Sequence, residues 1–177
     1  MRKPPVFLIG ANRSGTSILA TILAEHEEIN PIFSVQKPKL GDGGHTRAYS
    51  ESTIWDSLEN NNARLWGLNE NINNVYINNL PEKRINQLKK ELNNLRSENK
   101  LDLIKKPKNI MRIPLIKKMY PKSKFILIVR NLKNYIHGGK TKFKVGEDKI
   151  KEHWHNVYDI GLRDLKEYAE NTHIIIC

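Results

Sequence analysis

Apolar positions along the chain switch between two periods. Val6 to Ile9 and Phe125 to Val129 are unbroken apolar runs, the pattern of strands buried on both faces of a parallel sheet. Leu101–Lys105 and His173–Ile176 read as further strands. Helical spacing covers the intervals between them. Thr16 to His26 places Ile18, Leu19, Ile22 and Leu23 on one face. A helix opened by Pro81 carries Ile85, Leu88, Leu92 and Leu95. Lys108 to Met119 aligns Ile110, Ile113, Ile116 and Met119. Asn131 is placed to cap the helix that follows Val129. Asp148 to Tyr168 aligns Ile150, Trp154, Val157, Leu165 and Tyr168. Ser50 is placed to cap a helix containing Ile54, Trp55 and Leu58. Residues 30–49, punctuated by Pro31, Pro38, Gly41, Gly43 and Gly44, read as a long irregular segment. The asparagine-rich stretch from Asn60 to Asn79 has a buried side, from Trp66 to Tyr76, but no clear period. Strand and helix alternate, so the expected fold is α/β: a three-layer sandwich of P-loop type around a central parallel sheet. Residues 1–177 are expected to form one domain. The terminal strand leaves two options open, a chain truncated at its C-terminal side or a strand at the sheet edge.

The junction after the first strand carries the chemistry. Gly10-Ala11-Asn12-Arg13-Ser14-Gly15-Thr16-Ser17 is a glycine-bounded loop between a strand and a helix N-terminus. Free backbone N–H groups and the positive end of the helix dipole converge there, which suits a phosphate or a group of like shape. The bland alternative is a tight strand-to-helix turn. Nucleotide triphosphatases place a lysine directly after the second glycine. Here that position is Thr16, and the cation lies inside the loop at Arg13. A second cation, Arg130, ends the buried strand and should emerge at the carboxyl edge, where parallel sheets bind ligands. A triphosphatase would place a magnesium-organising aspartate at a strand end. The planar fork of Arg130 instead suits a second anion.

Composition narrows the class. The 177 residues carry a net charge of +11, which suits polyanionic or phosphorylated partners, although part of it is a solvated lysine face. The lone cysteine, Cys177, excludes an internal disulfide. No apolar run approaches the ~18 residues of a membrane span, and the N-terminal run is broken too early for a signal peptide. A cytoplasmic location is therefore expected, with no membrane partner. The sequon Asn12-Arg13-Ser14 falls inside the loop and reads as accidental. His153, His155 and the distant cysteine do not make a zinc set.

With these residues in place, the chain resembles the sulfotransferases that use 3′-phosphoadenosine 5′-phosphosulfate. Pro5 to Ser17 is similar to that family's phosphosulfate loop. Lys105-Lys106-Pro107 and the stretch from Tyr120 to Arg130 are similar to its lysine-x-proline segment and its 3′-phosphate strand. The branch it looks most like holds tyrosylprotein sulfotransferases and bacterial carbohydrate or small-molecule sulfotransferases. The resemblance implies that Arg13 and the backbone of Ser14, Gly15, Thr16 and Ser17 hold the 5′-phosphosulfate. It implies that Arg130 binds the 3′-phosphate and that Lys105 steadies charge on the sulfuryl group and leaving phosphate; Lys106 and Lys108 beside it leave open a merely solvated lysine cluster. Arg13, Lys105 and a base form the implied catalytic set. The base is expected at Glu51, with His45 as rival; Glu51 can equally serve only the dipole of the helix it opens. A serine that often supplements the 3′-phosphate site is replaced by Gly138, leaving Lys140 or Thr141 as substitutes. His137 is similar to a histidine expected near the cofactor. The implied activity is transfer of a sulfuryl group to a hydroxyl or amine of a carbohydrate, small molecule or peptide, without a metal. A P-loop kinase and a non-catalytic binder of phosphorylated nucleotides or nucleic acid remain as alternatives; nucleic acid is not the expected partner.

Overall fold

The computed structural model describes residues 2–32, 35–36, 48–49, 53–58, 65–76, 80–169 and 172–177. Five parallel strands form its sheet. They are β1 (Val6–Gly10), β2 (Ile29–Pro31), β5 (Leu101–Lys105), β6 (Lys124–Val129) and β7 (Thr172–Ile176), in the order β2-β5-β1-β6-β7. A short antiparallel pair, β3 (Val35–Gln36) with β4 (Ala48–Tyr49), stands apart from it. The apolar runs sit in the middle of the sheet, as unbroken hydrophobicity requires. β1 lies between β5 and β6, with Leu8 opposite Lys105 and Gly10 opposite Ile128.

Alternation along β1 divides the core between two faces. Val6 and Leu8 pack with Leu103, Ile128 and Ala20 beneath helix α1 (Thr16–Ala24). Phe7 and Ile9 enter the larger core with Ile104, Phe125 and Leu127. That core is covered by α2 (Asn69–Val75), α3 (Glu82–Asn93), α4 (Ile113–Met119), α5 (Leu132–Phe143) and α6 (Glu147–Tyr168). The α/β layering expected from the pattern is therefore present. At the β2 side, the buried Asp102 carboxylate accepts from Arg96 Nε, Asn30 Nδ2 and the Ser97 amide, all at 2.8 Å. Those bonds fix the turn between α3 and β5.

Several boundaries differ from the sequence pattern. α1 stops at Ala24, and Ile18 and Ile22 are 71% and 63% exposed, while Leu19, Leu23 and Ala20 are the apolar residues that pack on the sheet. Leu95 lies past the end of α3 and is exposed. The stretch from Lys108 to Met119 is two pieces, a 3-10 turn (Pro107–Met111) and then α4. Pro114 near the start of α4 has no N–H for a continuous helix and favours a new first turn. Thr53–Leu58 is also a 3-10 helix rather than an α-helix, and Ser50 lies outside the described residues. Ile29–Pro31 forms β2 within a stretch read as irregular; proline is tolerated there because the strand is at an edge. β7 is the opposite edge, and Ile174, Ile175 and Ile176 are exposed on it. Tyr168, the last residue of α6, is exposed rather than inward.

His153 is fully buried in α6, with its Nδ1 hydrogen-bonded to the Tyr135 hydroxyl at 2.8 Å and Trp66 edge-on at 5.0 Å. Burial pushes its pKa down from 6.5 to about 3. The unfolded chain therefore takes up this proton first as pH falls. Its contribution to stability is intact above pH 6.5 and is lost towards pH 3, at about 1.4 kcal/mol per pH unit. Urea unfolding of wild type and His153→Gln between pH 7 and pH 4.5 should show a steeper acid loss in wild type. Parallel curves would assign the buried imidazole no such role.

Candidate functional site

The loop after β1 is built by three unusual backbone positions. Gly10 has φ 155°, and a Cβ there would lie 2.7 Å from the Ile128 carbonyl oxygen and 2.8 Å from Ser14 Oγ. Only glycine lets the chain pass so close to β6. Arg13 takes a left-handed φ of 65°, and Gly15 one of 106°. The turn closes with Ser14 N–H donating to the Ala11 carbonyl at 3.2 Å. Gly15 caps α1 without a side-chain bond, and no acidic residue stands in the first turn. No side-chain bond caps the N–H groups of that turn, and a helix N-terminus of this kind suits an anion.

Arg130 follows β6 at the carboxyl edge. Its Nη1 donates to the Arg13 carbonyl at 2.8 Å, which sets the Arg130 guanidinium against the backbone of the glycine loop. α6 holds this junction from beneath. Trp154 Nε1 donates to the Arg130 carbonyl at 2.8 Å. The Tyr158 hydroxyl donates to the Ile128 carbonyl at 2.9 Å and accepts from the Arg130 amide at 3.4 Å and the Ala11 amide at 3.5 Å. Burial raises the pKa of that hydroxyl, which keeps it protonated and able to donate. Tyr158 thereby links the glycine loop to the strand end that carries Arg130. Sequence reading missed it. Its one signal is its place a turn after Trp154 on the same face of α6.

A cavity of about 410 Å³ opens over the loop. Asn12, Arg13, Gly15, Thr16, Ser17 and Ile18 line one side, and Lys105, Pro107, Arg130, Lys142 and Phe143 the remainder. Four cations and no carboxylate line it among the described residues. Lys105 reaches it from the end of β5 and is only 3% exposed; Lys106 and Lys108 are also buried, so none of the three is a freely solvated lysine. Ser14 is buried within the loop and is not part of the lining. Gly138 lies on α5 with open space around it and does not line the cavity; nor does Thr141, and Lys140 is paired with Glu147 at 2.7 Å. His137 is exposed on α5 and does not line it either. Lys142 and Phe143 do, and sequence reading singled out neither. Glu51 and His45 lie outside the described residues. Among the described residues no group of histidine, cysteine or carboxylates could hold a metal ion. No helix among them is long and apolar enough to cross a membrane.

A sequence model of the sulfotransferase family matches residues 4–176. No curated protein matches the chain. Its fold is similar to the sulfotransferase domain from the curacin biosynthetic pathway, at 15% identity, over 99% of this chain and 68% of that one, with a TM-score of 0.56. It is similar to sulfotransferase STF9 from Mycobacterium avium, at 12% identity, over 99% and 59%, with a TM-score of 0.64. It is also similar to the sulfotransferase domain of the Synechococcus PCC 7002 olefin synthase, at 18% identity, over 99% and 66%, with a TM-score of 0.59. The chain thus spans 59–68% of the length of these three structures.

Proposed function

The chain belongs to the sulfotransferase family, and from that premise we propose that it moves a sulfuryl group from 3′-phosphoadenosine 5′-phosphosulfate to a hydroxyl or amine of an acceptor. The observation that carries this reading is the convergence of Arg13, Arg130 and Lys105 on one cavity above a bare helix N-terminus. The donor carries two anionic groups on one ribose, at its 3′ and 5′ positions, and two arginines on neighbouring elements suit them. The cradle also fits in shape, since Gly15 lines the cavity and nothing stands within 4 Å of the Cβ it lacks.

In this reading Arg13 and the N–H groups of residues 15–17 hold the 5′-phosphosulfate, with the Ser14 N–H already given to the Ala11 carbonyl, and Arg130 holds the 3′-phosphate. The donor supplies the sulfuryl group. Lys105 steadies the phosphate oxygen that keeps the electron pair as the sulfur–oxygen bond breaks. Glu51 accepts the proton released as the acceptor oxygen or nitrogen bonds to sulfur. No step calls for a metal, because lysine and arginine offset the developing charge. A kinase reading is disfavoured by Thr16 where a triphosphatase has lysine, and by the lack of a carboxylate among the described lining residues.

The test is transfer of labelled sulfur from the donor into a panel of phenol, sugar and peptide acceptors. Glu51→Gln should keep adenosine 3′,5′-bisphosphate affinity within about twofold and lower turnover by roughly a hundredfold or more. Unchanged turnover removes Glu51 from the role of base. Absence of label from every acceptor, with bound bisphosphate, would favour a non-catalytic binder.

A further inference from the structure

Lys142 is a cation in the cavity that the donor does not account for. It is exposed, and it makes no ion pair among the described residues, whereas Lys140 two residues earlier is paired with Glu147. α5 starts two residues after Arg130, and Lys142 lies ten residues further along, about 15 Å down the helix axis. The backbone of Lys142 therefore lies near the end of α5 far from Arg130. The lining also has apolar members. Phe143 follows Lys142, and Pro107 and Ile18 add further apolar surface. An exposed ammonium beside a phenyl ring in a partly apolar lining suits an anionic group on an apolar body.

We propose that Lys142 holds an anionic group of the acceptor, so that the acceptor is an alcohol, phenol or amine that also bears a carboxylate, phosphate or sulfate. The proposal rests on the sulfotransferase reading, with the donor on Arg13, Lys105 and Arg130. Lys142 acts as a specificity residue, selecting charged acceptors over neutral ones of the same shape. A lysine in the last turn of a helix can also serve only the helix dipole. That role would alter stability and leave acceptor choice untouched.

Binding to the product complex separates these roles. Wild type and Lys142→Ala are first titrated with adenosine 3′,5′-bisphosphate. The saturated complexes are then titrated with 4-hydroxybenzoate and with 4-hydroxybenzyl alcohol, two phenols of like size that differ in charge. Wild type should bind the carboxylate about tenfold more tightly than the alcohol. Lys142→Ala should lose that preference, Lys142→Arg should retain it, and bisphosphate affinity should be the same in all three. Equal binding of the two phenols to wild type overturns the proposal, as does a preference that survives in Lys142→Ala. Weaker bisphosphate binding by Lys142→Ala also overturns it, by assigning the lysine to the donor. Failure of wild type to bind bisphosphate at all shows in the first titration and overturns the underlying reading.

Discussion

Replacing Arg130 with alanine should weaken adenosine 3′,5′-bisphosphate binding by on the order of a hundredfold, while adenosine 5′-phosphate binding changes by about threefold or less. Bonds from a charged donor to a charged acceptor contribute roughly 1.5–3 kcal/mol, and a guanidinium fork on a phosphate makes two of them. The backbone at residue 130 is held independently of its side chain, through the Trp154 indole and the Tyr158 hydroxyl. Truncation should therefore remove the anchor without moving β6. One further contact is lost, the 2.8 Å bond to the Arg13 carbonyl, and this allows the small effect on the 5′-phosphate ligand. Calorimetric titration of both nucleotides separates the contributions. An equal loss for both would mean that Arg130 supports the loop and reads no second phosphate.

Gly10→Ala should be the most damaging single methyl in the site. The new carbon would lie 2.7 Å from a main-chain oxygen of β6, in a backbone conformation that side chains rarely adopt. Neither the strand nor the loop can yield without breaking the sheet register, so a loss of about 2–4 kcal/mol is expected. Gly138→Ala is the matched control. Nothing lies within 4 Å of its Cβ position, and the residue is inside α5. Alanine there should stabilise by roughly 0.5–1 kcal/mol through helix propensity. Urea unfolding of the two variants gives opposite signs if the packing is as described. A neutral Gly10→Ala would show that the loop is loose enough to move off β6.

Much of this arrangement was legible before the fold was known. The runs Val6–Ile9 and Phe125–Val129 are too apolar for any place but the middle of a parallel sheet, and both lie there. The Asn131 side chain accepts from the Asn134 amide at 2.9 Å, as its cap position implies. Arg13 and Arg130 could be paired because a strand-end loop and a strand-end arginine share one sheet edge. The illegible parts depend on what a residue meets across the fold. α1 has more apolar positions than its contact with the sheet can cover, so period alone could not choose Leu19 and Leu23 over Ile18 and Ile22. Isoleucines of β7 carry strand propensity without burial, because an edge strand has a neighbour on one side only. Tyr158 and Lys142 look like ordinary helix residues in sequence. Their place at the site comes from how α5 and α6 run past the end of β6, which no local pattern records.

The most direct measurement is a paired titration of the intact chain with adenosine 3′,5′-bisphosphate and with ATP plus magnesium. If Arg13 and Arg130 hold the 5′- and 3′-phosphates of one ribose, the bisphosphate should be favoured by at least about tenfold. A match or a preference for ATP with magnesium would contradict that arrangement and return the loop to ordinary triphosphate chemistry.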